Sequence, residues 1–86
     1  MIAKVYITLK PGVLDPQGKA VQKSLHSLGF ATINDVRVGK YIEIKFPQTL
    51  SKQEAQTQLT KMCEELLANT VIENYSFEIN SKESSP

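Results

Sequence analysis

The sequence holds one cysteine, one histidine, one arginine and no tryptophan. A lone cysteine cannot close an internal disulfide, and one cysteine with one histidine cannot supply the four ligands of a structural zinc site. No apolar run approaches the ~20 residues of a membrane span. The opening MIAKVYITLK alternates and carries Lys4 and Lys10 where a signal peptide would have an unbroken hydrophobic block. A cytoplasmic, reduced protein is therefore expected. Charge of one sign is also missing: ten Lys+Arg stand against nine Asp+Glu, a net charge of +1. Such a balance gives no field for nucleic acid or an anionic membrane. Only Arg37 offers a planar fork for phosphate or carboxylate. Gly12, Gly18, Gly29 and Gly39 fit neither GxGxxG nor GxxxxGK[ST], so the chain has no recognised phosphate loop.

What remains is 86 residues with 41% hydrophobic and 22% charged side chains, enough for one small domain. A domain of this size buries only about 60% of its unfolded surface. It has little room for a deep cleft, and association with another subunit is the natural way to cover more apolar surface.

Ala3, Val5, Ile7 and Leu9 alternate with Lys4, Tyr6 and Thr8, the period-2 pattern of a half-buried strand that stops at Pro11-Gly12. Asp15 before Pro16 predicts a helix start, because a carboxylate can accept the free N–H groups of the first turn and proline needs no partner at N1. Val21, Leu25 and Leu28 form its apolar stripe and Gly29 ends it. A second strand is expected at Asn34 to Val38, turning through Gly39-Lys40 into a third at Tyr41 to Phe46, as an antiparallel hairpin. Ser51-Lys52-Gln53-Glu54 is a capping box that opens a second helix. Its apolar face is Ala55, Leu59, Met62, Cys63 and Leu66, and Asn69 in a left-handed conformation would end it. A last strand should run from about Val71 to Ile79.

The order β-α-β-β-α-β predicts an α+β fold, one antiparallel sheet with two helices packed on one face. The chain should be a single domain over 1–79 with a disordered polar tail at 80–86. The other sheet face would carry Tyr6, Thr8, Arg37, Tyr41, Glu43, Asn74 and Ser76. A mixed surface with aromatic handles of this kind suits cover by another subunit, so dimerisation through sheet surface and edges is expected.

The chemically suggestive residues do not assemble into a site. His26 lies on the polar side of the first helix, and no carboxylate is placed to orient its ring. Cys63 sits in an apolar stripe, where cysteine behaves as a small hydrophobe. Glu64 and Glu65 are neighbours on a helix and diverge by about 100°. The RNA recognition motif shares this element order, and Val5–Leu9 and Gly39–Phe46 partly match its strand motifs. Glu43 then stands where a base-stacking aromatic belongs, which argues against RNA.

Four segments add a specific resemblance. Val5-Tyr6-Ile7-Thr8-Leu9-Lys10-Pro11-Gly12-Val13-Leu14-Asp15-Pro16-Gln17-Gly18-Lys19-Ala20-Val21 is similar to the opening of the PurS family, the small subunit of phosphoribosylformylglycinamidine synthase. Leu25 to Phe30, Asp35 to Glu43, and Cys63 to Tyr75 resemble later family segments in the same order. Thr70 departs from the family's usual proline, and Pro47 to Gln58 is diverged.

The resemblance implies a non-catalytic structural subunit of a C–N ligase complex in purine biosynthesis. It would bridge an ATP-dependent synthetase subunit and a glutaminase subunit and support ammonia transfer between them. On this reading the chain binds no cofactor alone, and the ATP, Mg and glutamine of the complex belong to its partners. A homodimer, or a tetramer of two dimers, fits the family pattern. The residues that match family motifs and should be exposed for contacts are Asp15, Gln17, Gly18 and Lys19 at the helix start and Arg37, Lys40 and Tyr41 at the hairpin. Asp15 as a helix cap and Gly18 as a close-packing residue are the competing structural readings. The alternative function is a free-standing ligand-binding regulatory domain of ferredoxin-like architecture.

Overall fold

The computed structural model describes residues 1–80. Alternation makes the first strand, β1 (Ile2–Leu9), and it becomes the centre of a three-stranded antiparallel sheet. β2 (Lys40–Lys45) pairs along one side of it and β3 (Glu73–Asn80) along the other, with Val5 opposite both Ile42 and Phe77. Ala3, Val5 and Ile7 are buried on one face, where Ile42, Ile44, Phe77 and Ile79 flank them. Helix α2 (Lys52–Met62) lies over that face and fills it with Ala55 and Leu59. Its start is capped by Ser51 as the box pattern placed it: Ser51 Oγ accepts the Glu54 N–H and donates to Glu54 Oε1, both at 3.1 Å, so the glutamate meets the serine's hydroxyl.

α2 runs into a single π-helical turn, Cys63–Leu67, closed by the Ala68 N–H donating to the Cys63 carbonyl at 3.0 Å. The wider turn keeps Cys63 fully buried and turns Leu66 outward to 82% exposure. The expected left-handed Asn69 is not seen, since no described non-glycine residue has positive φ. Asn69 instead accepts the Val71 N–H on its side chain, and its own N–H donates to Glu73 Oε1. The connection therefore turns through side-chain bonds before β3 starts at Glu73, two residues later than the pattern suggested.

The α+β class, the antiparallel sheet and the two helices agree with the sequence. Two placements differ within the single chain. Residues 34–38 have no regular secondary structure and join no ladder, so the expected hairpin with β2 is not formed. Their backbone bonds to side chains instead: Gln22 Nε2 donates to the Asn34 carbonyl and Asp15 accepts the Val38 N–H. Helix α1 (Pro16–Ser27) does not lie across the sheet; Gly18 is its only buried residue. It projects as an arm, and the chain measures 50 × 33 × 15 Å with a radius of gyration of 16.4 Å, against about 12 Å for a compact domain of this length. Asn80 closes β3, while 81–86, most of the expected tail, lie outside the described residues.

Candidate interaction surface

The arm is amphipathic with its apolar side uncovered. Val21 is 42% exposed, Leu28 73% and Phe30 55%, and Leu14 at the arm's root is 73% exposed. The polar side carries Lys19, Lys23 and His26 and no carboxylate. An isolated helix of 12 residues is marginal in water; the rest of this chain caps α1 and ties it to the return segment but leaves its apolar side uncovered.

At the root of the arm Asp15 is 5% exposed. Its Oδ1 accepts the Gly18 N–H and its Oδ2 the Val38 N–H, both at 2.9 Å. These two bonds, Gly18 first, hold its carboxyl below the usual carboxylate range, with the Arg37 guanidinium helping and burial opposing. Arg37 donates to the carbonyls of Leu9 (3.2 Å), Lys10 (3.0 Å) and Val13 (3.3 Å). Gly18 permits the crossing, because a Cβ there would sit 2.2 Å from the Val36 carbonyl oxygen. Gly39 plays the same part beside β1, where a Cβ would lie 2.5 Å from the Ile7 carbonyl oxygen.

The sequence-derived contact residues therefore separate. Asp15, Gln17 and Lys40 come together on a crevice of about 230 Å³ between the arm and the sheet end. Lys40 also pairs with Glu73 at 3.9 Å. Arg37 belongs to no strand but sits on a neighbouring depression with Asp35 and with Thr8 and Asn74, two of the residues expected beside it on the open sheet face. Lys19 lies on the outside of the arm with Lys23 and His26. Tyr41 is on the open sheet face, its ring 5.4 Å from that of Tyr6. Gly18 is buried.

Several residues with a structural hold on this region gave no signal in the sequence. Glu73 ties Asn69 and Lys40 to the start of β3. His26 Nε2 donates to the Ile33 carbonyl at 2.9 Å, so the histidine pins the return segment to the arm. Glu78 accepts the Tyr6 hydroxyl at 2.6 Å. Cys63 lies in the core, where burial, with a smaller push from Glu64, raises its thiol. Among the described residues no group of three or more His, Cys, Asp or Glu converges as metal ligands, and no helix is long and apolar enough to cross a membrane.

Comparison with known proteins gives the same answer at three levels. The family model PurS, described as phosphoribosylformylglycinamidine (FGAM) synthase, matches residues 2–81. The subunit PurS of phosphoribosylformylglycinamidine synthase from Synechocystis is 51% identical over 80 residues, covering 93% of this chain and 79% of the relative. The crystal structure of PurS from Methanocaldococcus jannaschii, named as one of the subunits of formylglycinamide ribonucleotide amidotransferase in the purine biosynthetic pathway, superposes with a TM-score of 0.84 at 35% identity. That match covers 95% of this chain and 98% of the other. A chain in the structure of PurLQS from Thermotoga maritima gives a TM-score of 0.68 at 26% identity, covering 91% and 96%. The exposed arm and the motif-bearing root thus sit in a chain that belongs to the PurS family of phosphoribosylformylglycinamidine synthase.

Proposed function

We propose that this chain is the structural subunit of a cytoplasmic phosphoribosylformylglycinamidine synthase. It associates with copies of itself and bridges the ATP-dependent synthetase subunit and the glutaminase subunit. The observation that carries this reading is the exposed apolar edge of α1, a surface built for protein contact in a chain of a family found in a PurLQS assembly. A second copy suits that edge on two grounds. The arm carries cations without carboxylates, whereas the π turn exposes Glu64, Glu65 and Leu66, so the two helical surfaces are opposite in charge and both apolar in part. Among the described residues β2 and β3 also leave their outer edges unpaired, where extended chain from another copy can pair.

The side chains with chemical potential are committed to structure, which supports a non-catalytic role. Asp15 holds two backbone N–H groups, His26 holds a carbonyl, and Cys63 is core. On the family reading, the ATP, Mg and glutamine of the reaction are assigned to the partner subunits. Ammonia released at one active site would be protonated or lost in open water, and a subunit that holds two sites together prevents that.

Mixing the chain with the synthetase and glutaminase subunits tests the proposal. Glutamine-dependent amidine formation should fall at least about tenfold when this chain is omitted, while ammonia-dependent turnover by the synthetase persists. Unchanged glutamine-dependent activity without it rules the role out.

A further inference from the structure

Helix α1 buries almost nothing against its own chain, so its direction has to be set at its root. Two grips operate there in opposite senses. Asp15, on the loop that follows β1, holds the Val38 N–H of the return segment while capping α1 through Gly18. Arg37, on the return segment, reaches back and holds three carbonyls of the strand end and loop, those of Leu9, Lys10 and Val13. A single contact would leave an axle about which the arm turns. Two reciprocal grips around the Gly18–Val36 crossing remove that rotation.

We propose that Asp15 and Arg37 are positioning residues: together they fix the direction of α1, so that its edge of Val21, Leu28 and Phe30 is presented to a second copy already oriented. This inference rests on the reading of α1 as a self-association surface. It also reassigns the two residues, which touch their own backbone and not the partner. The gain is preorganisation, because an arm free to swing must be ordered at the moment of association and the complex is weaker by that entropy.

The test uses the full chain with Asp15→Asn, Arg37→Ala and Val21→Asp. Asparagine caps helices about as well as aspartate, but one of its two terminal groups is a donor, so it cannot accept from both Gly18 and Val38. Sedimentation gives the dissociation constant of the copies, and hydrogen exchange gives residue-level protection. Asp15→Asn and Arg37→Ala should each raise the dissociation constant at least about tenfold. Both should speed exchange across 16–38, while the amides of β1, β2 and β3 keep their protection. Should Asp15→Asn unfold the sheet, Arg37→Ala decides, since its exposed side chain leaves only solvent-accessible carbonyls behind. Unchanged association in Arg37→Ala, with Val21→Asp dissociating the copies, overturns the positioning role alone. Undiminished association in Val21→Asp overturns the surface reading and the inference with it.

Discussion

The Tyr6 hydroxyl donates to Glu78 Oε1 at 2.6 Å, a diagonal bond from the central strand to β3 on the open face of the sheet. Tyr6 stands opposite Ser76 and Tyr41, while Glu78 stands opposite Lys4, so the bond links two neighbouring cross-strand pairs. The bond braces the open face beside the Tyr6–Tyr41 ring pair.

The bond has a titration signature. Tyr6 is pushed up to about 12, first by the bond to Glu78, then by burial and by the charges of Glu78 and Tyr41. Spectrophotometric titration should show this tyrosine ionising near 12, and Glu78→Ala should return it toward its ordinary value of 10.0. Because the folded value is raised, the stability linked to this proton is complete below pH 10 and declines as pH rises toward 12. An unshifted titration in Glu78→Ala would contradict the assignment.

Acid should act on Asp15 in the opposite sense. Its pKa is lowered by the Gly18 and Val38 N–H groups, so the stability it contributes is present above the unfolded value of about 3.9 and is lost as pH falls through the lower folded one. In NMR spectra the Gly18 and Val38 amide shifts should move together below pH ~3.9. In Asp15→Asn that joint movement should vanish.

Gly18→Ala places a Cβ against backbone, the Val36 oxygen, which no rotamer change relieves. A cost of about 1–3 kcal/mol is expected in denaturant unfolding. Gln17→Ala at the exposed neighbouring position should stay within about 0.5 kcal/mol. Equal effects at the two positions would remove the close-approach explanation.

Core positions give a separate check. Leu59 is fully buried over the sheet, and Leu59→Ala should cost about 2–5 kcal/mol. The Cys63 thiol, buried and raised, should react with iodoacetamide at least about tenfold more slowly in the folded chain than in urea. Comparable rates would place Cys63 at the surface.

Local signals in the sequence translated directly into structure. The β1 alternation, the Asp15-Pro16 start and the Ser51–Glu54 box each concern groups a few residues apart, and each appears where the spacing placed it. The misplacements were of partners. Val21, Leu25 and Leu28 show that one side of α1 needs cover, but periodicity does not say which chain supplies it. Val36 and Val38 similarly predict a strand, but no strand pairs with them and the segment stays irregular. The π turn was illegible because it adds a residue to the turn without changing residue types, which moved Leu66 from the expected apolar face to solvent. At the candidate site, Asp15 and Gly18 were readable through turn and cap chemistry. The three carbonyls that hold Arg37 were not, since backbone acceptors leave no trace in a sequence.

An arm covered from outside its own chain ties folding to mass action. Its melting temperature should climb with protein concentration, as it would not for a self-sufficient domain. In a cell that makes this subunit sparingly, copy number then governs how much of the preformed arm's apolar edge is covered, before any partner enzyme arrives.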